Sequence, residues 1–356
     1  MKVQRVNDNR RMGRKKMEIC LFAAMFLLSG CGVGVKSNAD KESDLAEQPA
    51  VVDYTCISNP ESDKQIYVIL KNYHGAYWEK VIDGITEAAK KMDEAVYLGG
   101  IDNETDISGQ IDLMNQAMEQ GADGILLAPA DSNSLTDSCQ KVREKDIPVV
   151  LIDSSINSSE FDACYMTDNI DAGEMAAKEM LELLYDAGNS PTDPLEVGIQ
   201  LSSDTSQAMV NRVSGFLNFW AGNAPEQWEI VQDIRVNGGS TKKAQSDASA
   251  LLRENADIKG FFGCNNTSTV GIVNTLFEEE RTDVVLVGFD LADETKQMLQ
   301  NPEYHAVTVL QKQDQMGYLG MLSLNSLIKG EKSEQKYFDT GVIMVDSDYL
   351  MENAVS

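Results

Sequence analysis

The 356-residue chain has only two histidines, His74 and His305, and no HExxH or comparable cluster. A zinc-hydrolase centre is therefore not indicated. GxSxG, a Walker loop and GxGxxG are also missing, which removes the common signatures of serine hydrolases, nucleotide phosphate cradles and dinucleotide sites. Of six cysteines, Cys20, Cys31, Cys56, Cys139, Cys164 and Cys264, no pair has CxxC spacing, so neither a zinc ribbon nor a thioredoxin-like motif is indicated. Disulfides remain open, although free buried thiols are the simpler reading of such cysteines. "DNETD" (102–106) lacks the glycine and terminal glutamate of a calcium loop and reads as a strand-to-helix connection. No metal or cofactor is expected. Basic residues are scarce, 30 Lys/Arg against 57 Asp/Glu, a formal charge of −27. Nucleic-acid binding rests on neutralising phosphates with Lys and Arg, so a DNA or RNA partner is not expected.

The basic residues that exist are unevenly placed. Lys2, Arg5, Arg10, Arg11, Arg14, Lys15 and Lys16 crowd the first sixteen positions. "ICLFAAMFLL" (19–28) follows, then Ser29, Gly30 and Cys31. A basic segment, a short apolar core and small residues make a secretory leader. The apolar run falls well short of the ~20 residues of a membrane span. "LSGC" resembles the lipobox of bacterial lipoproteins, in which the cysteine becomes the lipidated first residue. This implies a leader over 1–30 and a lipid on Cys31, holding the protein on the extracytoplasmic face of a bacterial cell membrane. The lipid would be the only membrane contact. Residues 31–63 are rich in Gly, Ser, Asn, Asp and Glu without period and read as a flexible tether. With seven Lys/Arg and two Asp/Glu in the leader, the remainder carries 23 basic and 55 acidic residues, a formal −32.

From Gln65 the chain alternates strand and helix. Short apolar runs such as "IYVIL" (66–70), "GILLA" (124–128) and "PVVLI" (148–152) alternate with helix-period segments such as 77–92, 107–121 and 134–145. The rhythm restarts with a helix near 170–187 and strands at 196–201, 229–236, 260–264, 284–289, 306–311 and 341–345. Such alternation predicts βαβ units, parallel sheets and two similar α/β lobes.

In open α/β sheets, ligands bind outside the carboxyl ends of the strands. Lys71, Asp153, Asn265, Asn266, Asp290 and Gln311 all sit at such ends. Each alone could be a turn or helix-cap residue, and capping is the stronger reading for Asn266 and Asp131. Together, carboxylates and amides around one cleft suit a ligand rich in hydroxyls. Tyr77 and Trp78 open the first helix facing the same ends, and an aromatic ring can cover the apolar face of a sugar. Because adjacent helical residues diverge by about 100°, one is expected in the cleft and the other in the core.

These residues carry a further resemblance. "GADGILLAPADSNSL", "IPVVLIDSS", "TDNIDAGEMAAKEML", "GFFGCNNTSTVGI", "DVVLVGFD" and "VLQKQDQMGYLG", in this order and spacing, resemble the ribose-binding branch of bacterial periplasmic binding proteins over most of 64–350. The resemblance implies an α/β fold of two Rossmann-like lobes with parallel sheets (type I periplasmic binding protein). One lobe would comprise 64–167 plus 312–338, the other 168–311 plus 339–356, with hinge crossings near 167–169, 310–313 and 338–341. It implies that Asp153, Asn265, Asp290, Gln311, Tyr77 and Trp78 grip the ligand. Lys71 stands where a small polar residue is usual, and could replace one positive charge from the opposite lobe. Ser154 replaces one family arginine. The second aligns with Val210, and Arg212 nearby either substitutes for it or faces solvent. Loss of both arginines would weaken a ribose-like grip, since charged hydrogen bonds contribute about 1.5–3 kcal/mol each.

The function so implied is capture of a sugar or related polyhydroxylated solute and delivery to an ABC transporter permease. The alternative is a sensor for a membrane histidine kinase or chemoreceptor. A LacI-type repressor would need a helix-turn-helix where the leader stands. An enzyme using Asp153 and Asp290 lacks a recognisable acid/base motif, so a binding protein, not an enzyme, is expected.

Overall fold

"QIYVIL" is buried along almost its whole length, which only a central strand permits. The computed structural model describes residues 54–353. In chain order they form β1 (Thr55–Cys56), β2 (Gln65–Leu70), α1 (Ala76–Ala89), β3 (Ala95–Gly100), α2 (Ile107–Glu119), β4 (Gly124–Leu127), α3 (Thr136–Arg143), β5 (Val149–Ile152) and β6 (Ala163–Met166). There follow α4 (Asn169–Asp186), β7 (Leu195–Leu201), α5 (Gln207–Asn223), β8 (Trp228–Ile230), β9 (Arg235–Val236), α6 (Thr241–Glu254), β10 (Ile258–Gly263), α7 (Asn266–Glu278), β11 (Val285–Phe289) and α8 (Asp293–Leu299). The chain ends with β12 (Ala306–Gln311), α9 (Gln313–Ile328), β13 (Tyr337–Asp339), β14 (Val342–Val345) and α10 (Ser347–Asn353).

Two sheets result, ordered β1-β3-β2-β4-β5-β6-β13 and β14-β12-β11-β10-β7-β8, with β9 beside β7. Except for the edge pairs β1–β3 and β12–β14, the neighbours run parallel. Alternation along β2 divides its burial between two layers. Ile66, Val68 and Leu70 pack with α1 and α9, while Tyr67 and Ile69 pack with α2 and α3. Each such buried aliphatic side chain stabilises the fold by about 1.5–3 kcal/mol. In the second sheet, Val197, Ile199 and Leu201 face α4 and α5, and Phe261 and Leu286 face α6 and α7.

The chain passes between the sheets three times. It leaves β6 for α4 through Thr167–Asp168, leaves β12 for α9 through Lys312, and leaves β13 for β14 through Thr340–Gly341. The crossings are tied together. Thr167 Oγ1 donates to Gln311 Oε1 (2.9 Å), and Asp339 Oδ1 accepts from the backbone N–H groups of Asp168 (2.9 Å) and Gly341 (2.8 Å).

Some expectations differ from the structure. The leader, Cys31 and residues 31–53 of the expected tether lie outside the described residues. Residues 54–63, expected as tether, belong to the folded body. Thr55 and Cys56 pair with Leu98 and Tyr97, and the Ser58 hydroxyl bonds the Val96 N–H and the Glu94 carbonyl. A two-residue edge strand is too short to leave a period in the sequence. The strand expected over 229–236 breaks into β8 and β9. Cys56, Cys139, Cys164 and Cys264 are free, the last three buried.

The α4–α5 contact is unusually close. A Cβ on Gly173 would lie 2.0 Å from the Arg212 carbonyl oxygen, and one on Gly215 would lie 2.1 Å from that of Ile170. Gly173→Ala should therefore destabilise the protein by about 1–3 kcal/mol through forced separation of the two helices. Urea unfolding checks this; an unchanged midpoint would mean that the crossing can widen without cost.

Candidate functional site

The carboxyl ends of the two sheets face one another across a cavity of about 420 Å³, its opening to solvent included. The seven residues expected to bind the ligand, Lys71, Tyr77, Trp78, Asp153, Asn265, Asp290 and Gln311, line it. The gap is shut. Ser132 Oγ of one lobe accepts from the Gln207 N–H of the other (2.8 Å), and the Ser132 N–H donates to the Thr205 carbonyl. Ser154 Oγ lies 3.2 Å from Ser206 Oγ and accepts from the Ala208 N–H. The position where the family arginine was expected thus serves the seam between the lobes.

Asp153 and Asp290 occupy equivalent places. Each follows a buried parallel strand, and each adopts a left-handed backbone, φ 67° and 66°. Aspartate tolerates this region better than most residues, but at some conformational cost. The Asp153 carboxylate accepts from the Tyr77 hydroxyl (2.6 Å) and pairs with the Lys71 ammonium at 2.7 Å. Burial opposes the charge on Lys71, but Asp153 and Glu104 outweigh it and hold its pKa above the ordinary lysine value. Asp290 accepts from the side-chain amides of Gln313 (2.8 Å) and Gln311 (3.2 Å). Its burial pushes its pKa up to about 6, against the opposing pull of Arg212.

Arg212 is 1% exposed and lines the cavity, whereas Val210, at the aligned position, is 44% exposed. Its guanidinium donates to Asn169 Oδ1, the Cys264 carbonyl and Gln311 Oε1, and sits 3.7 Å from the centre of the Phe289 ring. Of the two arginines expected to be lost, one is therefore supplied from two residues further along α5, about half a turn away. The signal was present in the sequence. Met209, Arg212, Phe216 and Trp220 recur at helical spacing on the buried face of α5, and the arginine interrupts an apolar stripe.

Two further expectations are corrected. Asn265, not Asn266, caps α7 through Ser268. Asn266, read as a cap, instead lines the cavity, with its Oδ1 buried and without a hydrogen-bond partner. Tyr77 and Trp78 both line the cavity and both pack into the core. They lie in the first turn of α1, which meets the cavity end-on, so the 100° between them does not separate them. Their rings meet edge to face at 5.1 Å. Glu104 and Ser202 also line the cavity and come from connections with no periodicity to mark them.

Because Asp290 is protonated more readily when folded than when unfolded, its contribution to stability is fully present below the ordinary aspartate pKa. It is lost as pH rises toward about 6. Asp290→Asn should flatten the decline in unfolding free energy between pH 4 and 6. Urea unfolding across that range tests this; an unaltered slope would mean that Asp290 is not the group titrating.

A family model described as periplasmic binding protein domain matches residues 66–332. The ribose import binding protein of Bacillus subtilis is 24% identical over 327 residues, covering 90% of this chain and 96% of its own. The D-ribose/D-allose-binding protein of Pseudomonas aeruginosa is 24% identical, covering 78% and 86%. Among solved structures, an ABC transporter solute-binding protein from Agrobacterium vitis with bound D-fucose matches with a TM-score of 0.75 and 28% identity, covering 82% of this chain and 98% of that one. A carbohydrate transporter solute-binding protein from Agrobacterium radiobacter in complex with D-arabinose gives 0.77 and 25%, covering 83% and 98%. On fold, cleft and family match alike, the chain belongs to the periplasmic binding protein domain family.

Proposed function

We propose that this protein is a lipid-anchored, extracytoplasmic solute-binding protein that captures a sugar or related polyhydroxylated small molecule and delivers it to an ABC transporter. The observation that carries this reading is a cavity between the lobes that two carboxylates at matching strand ends and two aromatic rings line together. Carboxylates accept from sugar hydroxyls, amides both accept and donate, and the rings cover C–H faces. The names of the relatives, which import or bind ribose, allose, fucose and arabinose, point the same way.

Capture and delivery follow from closure. A ligand that bonds Asp153 on one lobe and Asp290 on the other makes its full set of contacts only when the lobes meet. Binding then shifts the population toward the closed form, and a permease that recognises both lobes at once reads that form. A thermal-shift screen with D-ribose, D-allose, D-fucose, D-arabinose and the common hexoses tests the reading. At least one sugar should raise the melting temperature by several degrees, and Asp290→Asn should reduce its affinity tenfold or more. No shift with any sugar would overturn sugar capture.

The anchor rests on the leader and on Cys31. Among the described residues no helix is long and apolar enough to cross a membrane. Cys31→Ser should move the protein from the membrane fraction to the soluble fraction of expressing cells. Retention in the membrane fraction would mean that something other than the lipid holds it.

A further inference from the structure

The cavity holds three carboxylates, Glu104, Asp153 and Asp290, but two firmly charged cations, Lys71 and Arg212. Asp153 is neutralised by Lys71. Asp290 is held by two side-chain amides, with Arg212 as its nearest strong positive influence. Glu104 is left over. It is 7% exposed, and among the described residues no Lys, Arg or His nitrogen lies within 4 Å of its carboxylate. The side chains that favour its charged form besides Lys71 are the neutral Ser202 and Asn72. The Lys71 ammonium, which favours its charge from a distance, is bonded to Asp153 instead. His74 lies at the mouth, exposed, paired with Asp102 at 3.3 Å.

Buried carboxylates are normally paired, because a carboxylate removed from water without a counter-charge is strongly disfavoured. Glu104 has its missing partner neither on its own lobe nor on the facing one. Asn266 Oδ1 adds a second buried acceptor that no protein donor satisfies. Arg212 already spends most of its donors on Asn169, Cys264 and Gln311. Glu104 and Asn266 Oδ1 therefore leave capacity for a donor and for positive charge.

We propose that the preferred ligand is a sugar or polyol bearing a protonated amine, with its ammonium against Glu104 and its hydroxyls on Asp153, Asp290 and Asn266. This rests on the sugar-capture reading and narrows it. Burial holds the Glu104 pKa above the ordinary glutamate value, and an adjacent ammonium would reverse that. Glu104 also touches the other lobe. A Cβ on Gly239 would lie 3.4 Å from its side chain, and Ser202 of that lobe lines the cavity with it. A cation bound there is felt at the seam, which links the charge of the ligand to closure.

Titration calorimetry on the full chain at pH 7 decides the matter. The probes are D-glucosamine, D-galactosamine and D-mannosamine, with D-glucose, D-galactose, D-mannose, D-ribose, D-allose, D-fucose and D-arabinose as neutral comparisons. The best amine should bind at least tenfold more tightly than its own parent sugar and than every other neutral sugar. Glu104→Gln should remove that preference, and Glu104→Asp, which keeps the charge, should retain most of it. Any neutral sugar binding as tightly as the best amine, or a preference untouched by Glu104→Gln, would overturn the amine assignment and leave sugar capture standing. Failure of every probe to bind would instead sink sugar capture, and this narrowing with it. Melting curves of both variants establish that they fold.

Discussion

A buried guanidinium holds the centre of this molecule. Arg212 reaches the first residue of α4 beyond a lobe crossing, the carbonyl at the tip of β10, and the last residue of β12 before another crossing. It stacks on Phe289, the residue immediately before Asp290. Burying such a charge is tolerable only when nearly all of its donors are used, and here they are. The hinge amide of Gln311 is shared between Arg212, Asp290 and Thr167. The floor of the cleft and the hinge are consequently one hydrogen-bonded network, and a ligand that disturbs Asp290 is felt where the lobes join.

The same physical solutions recur in both lobes. A buried parallel strand ends in an aspartate with left-handed backbone, once at Asp153 and once at Asp290. Each lobe also packs one helix pair through glycines, Gly173 and Gly215 on α4–α5, Gly84 and Gly317 on α1–α9. Close helix packing brings the helix ends near the strand tips. In the first lobe that delivers Tyr77 to Asp153, and in the second it delivers Arg212 to Gln311. Most of the groups lining the cavity come from strand ends and helix turns, whereas Glu104 and Ser202 come from connections.

Closure changes the electrostatics as well as the geometry. Hydrogen bonds of Ser132 and Ser154 to the 205–208 segment bring the lobes together beside charges that are isolated from water once the seam is formed. Inside the shut gap an unmatched carboxylate is costly and a matched one is strongly held.

Much of this architecture was readable along the chain. Apolar runs at strand spacing, helical stripes between them and polar residues just after the strands marked the two sheets and the rim of the cavity. They did so because burial of one face or two imposes a local period. Tertiary structure decided what local period does not encode. It chose Arg212 over Val210 because the glycine-lined α4–α5 crossing turns that face of α5 inward. It gave the α7 cap to Asn265 and brought Asn266 to the cavity beside it, because where α7 begins decides which side chain caps it. It brought Glu104 into the cavity from an aperiodic connection, since only the approach of the second lobe encloses that side chain. The sequence by itself determined which elements form and where their ends lie; the meeting of the two lobes decided which side chains share one closed space, because contact across a gap depends on docking and not on neighbours in the chain.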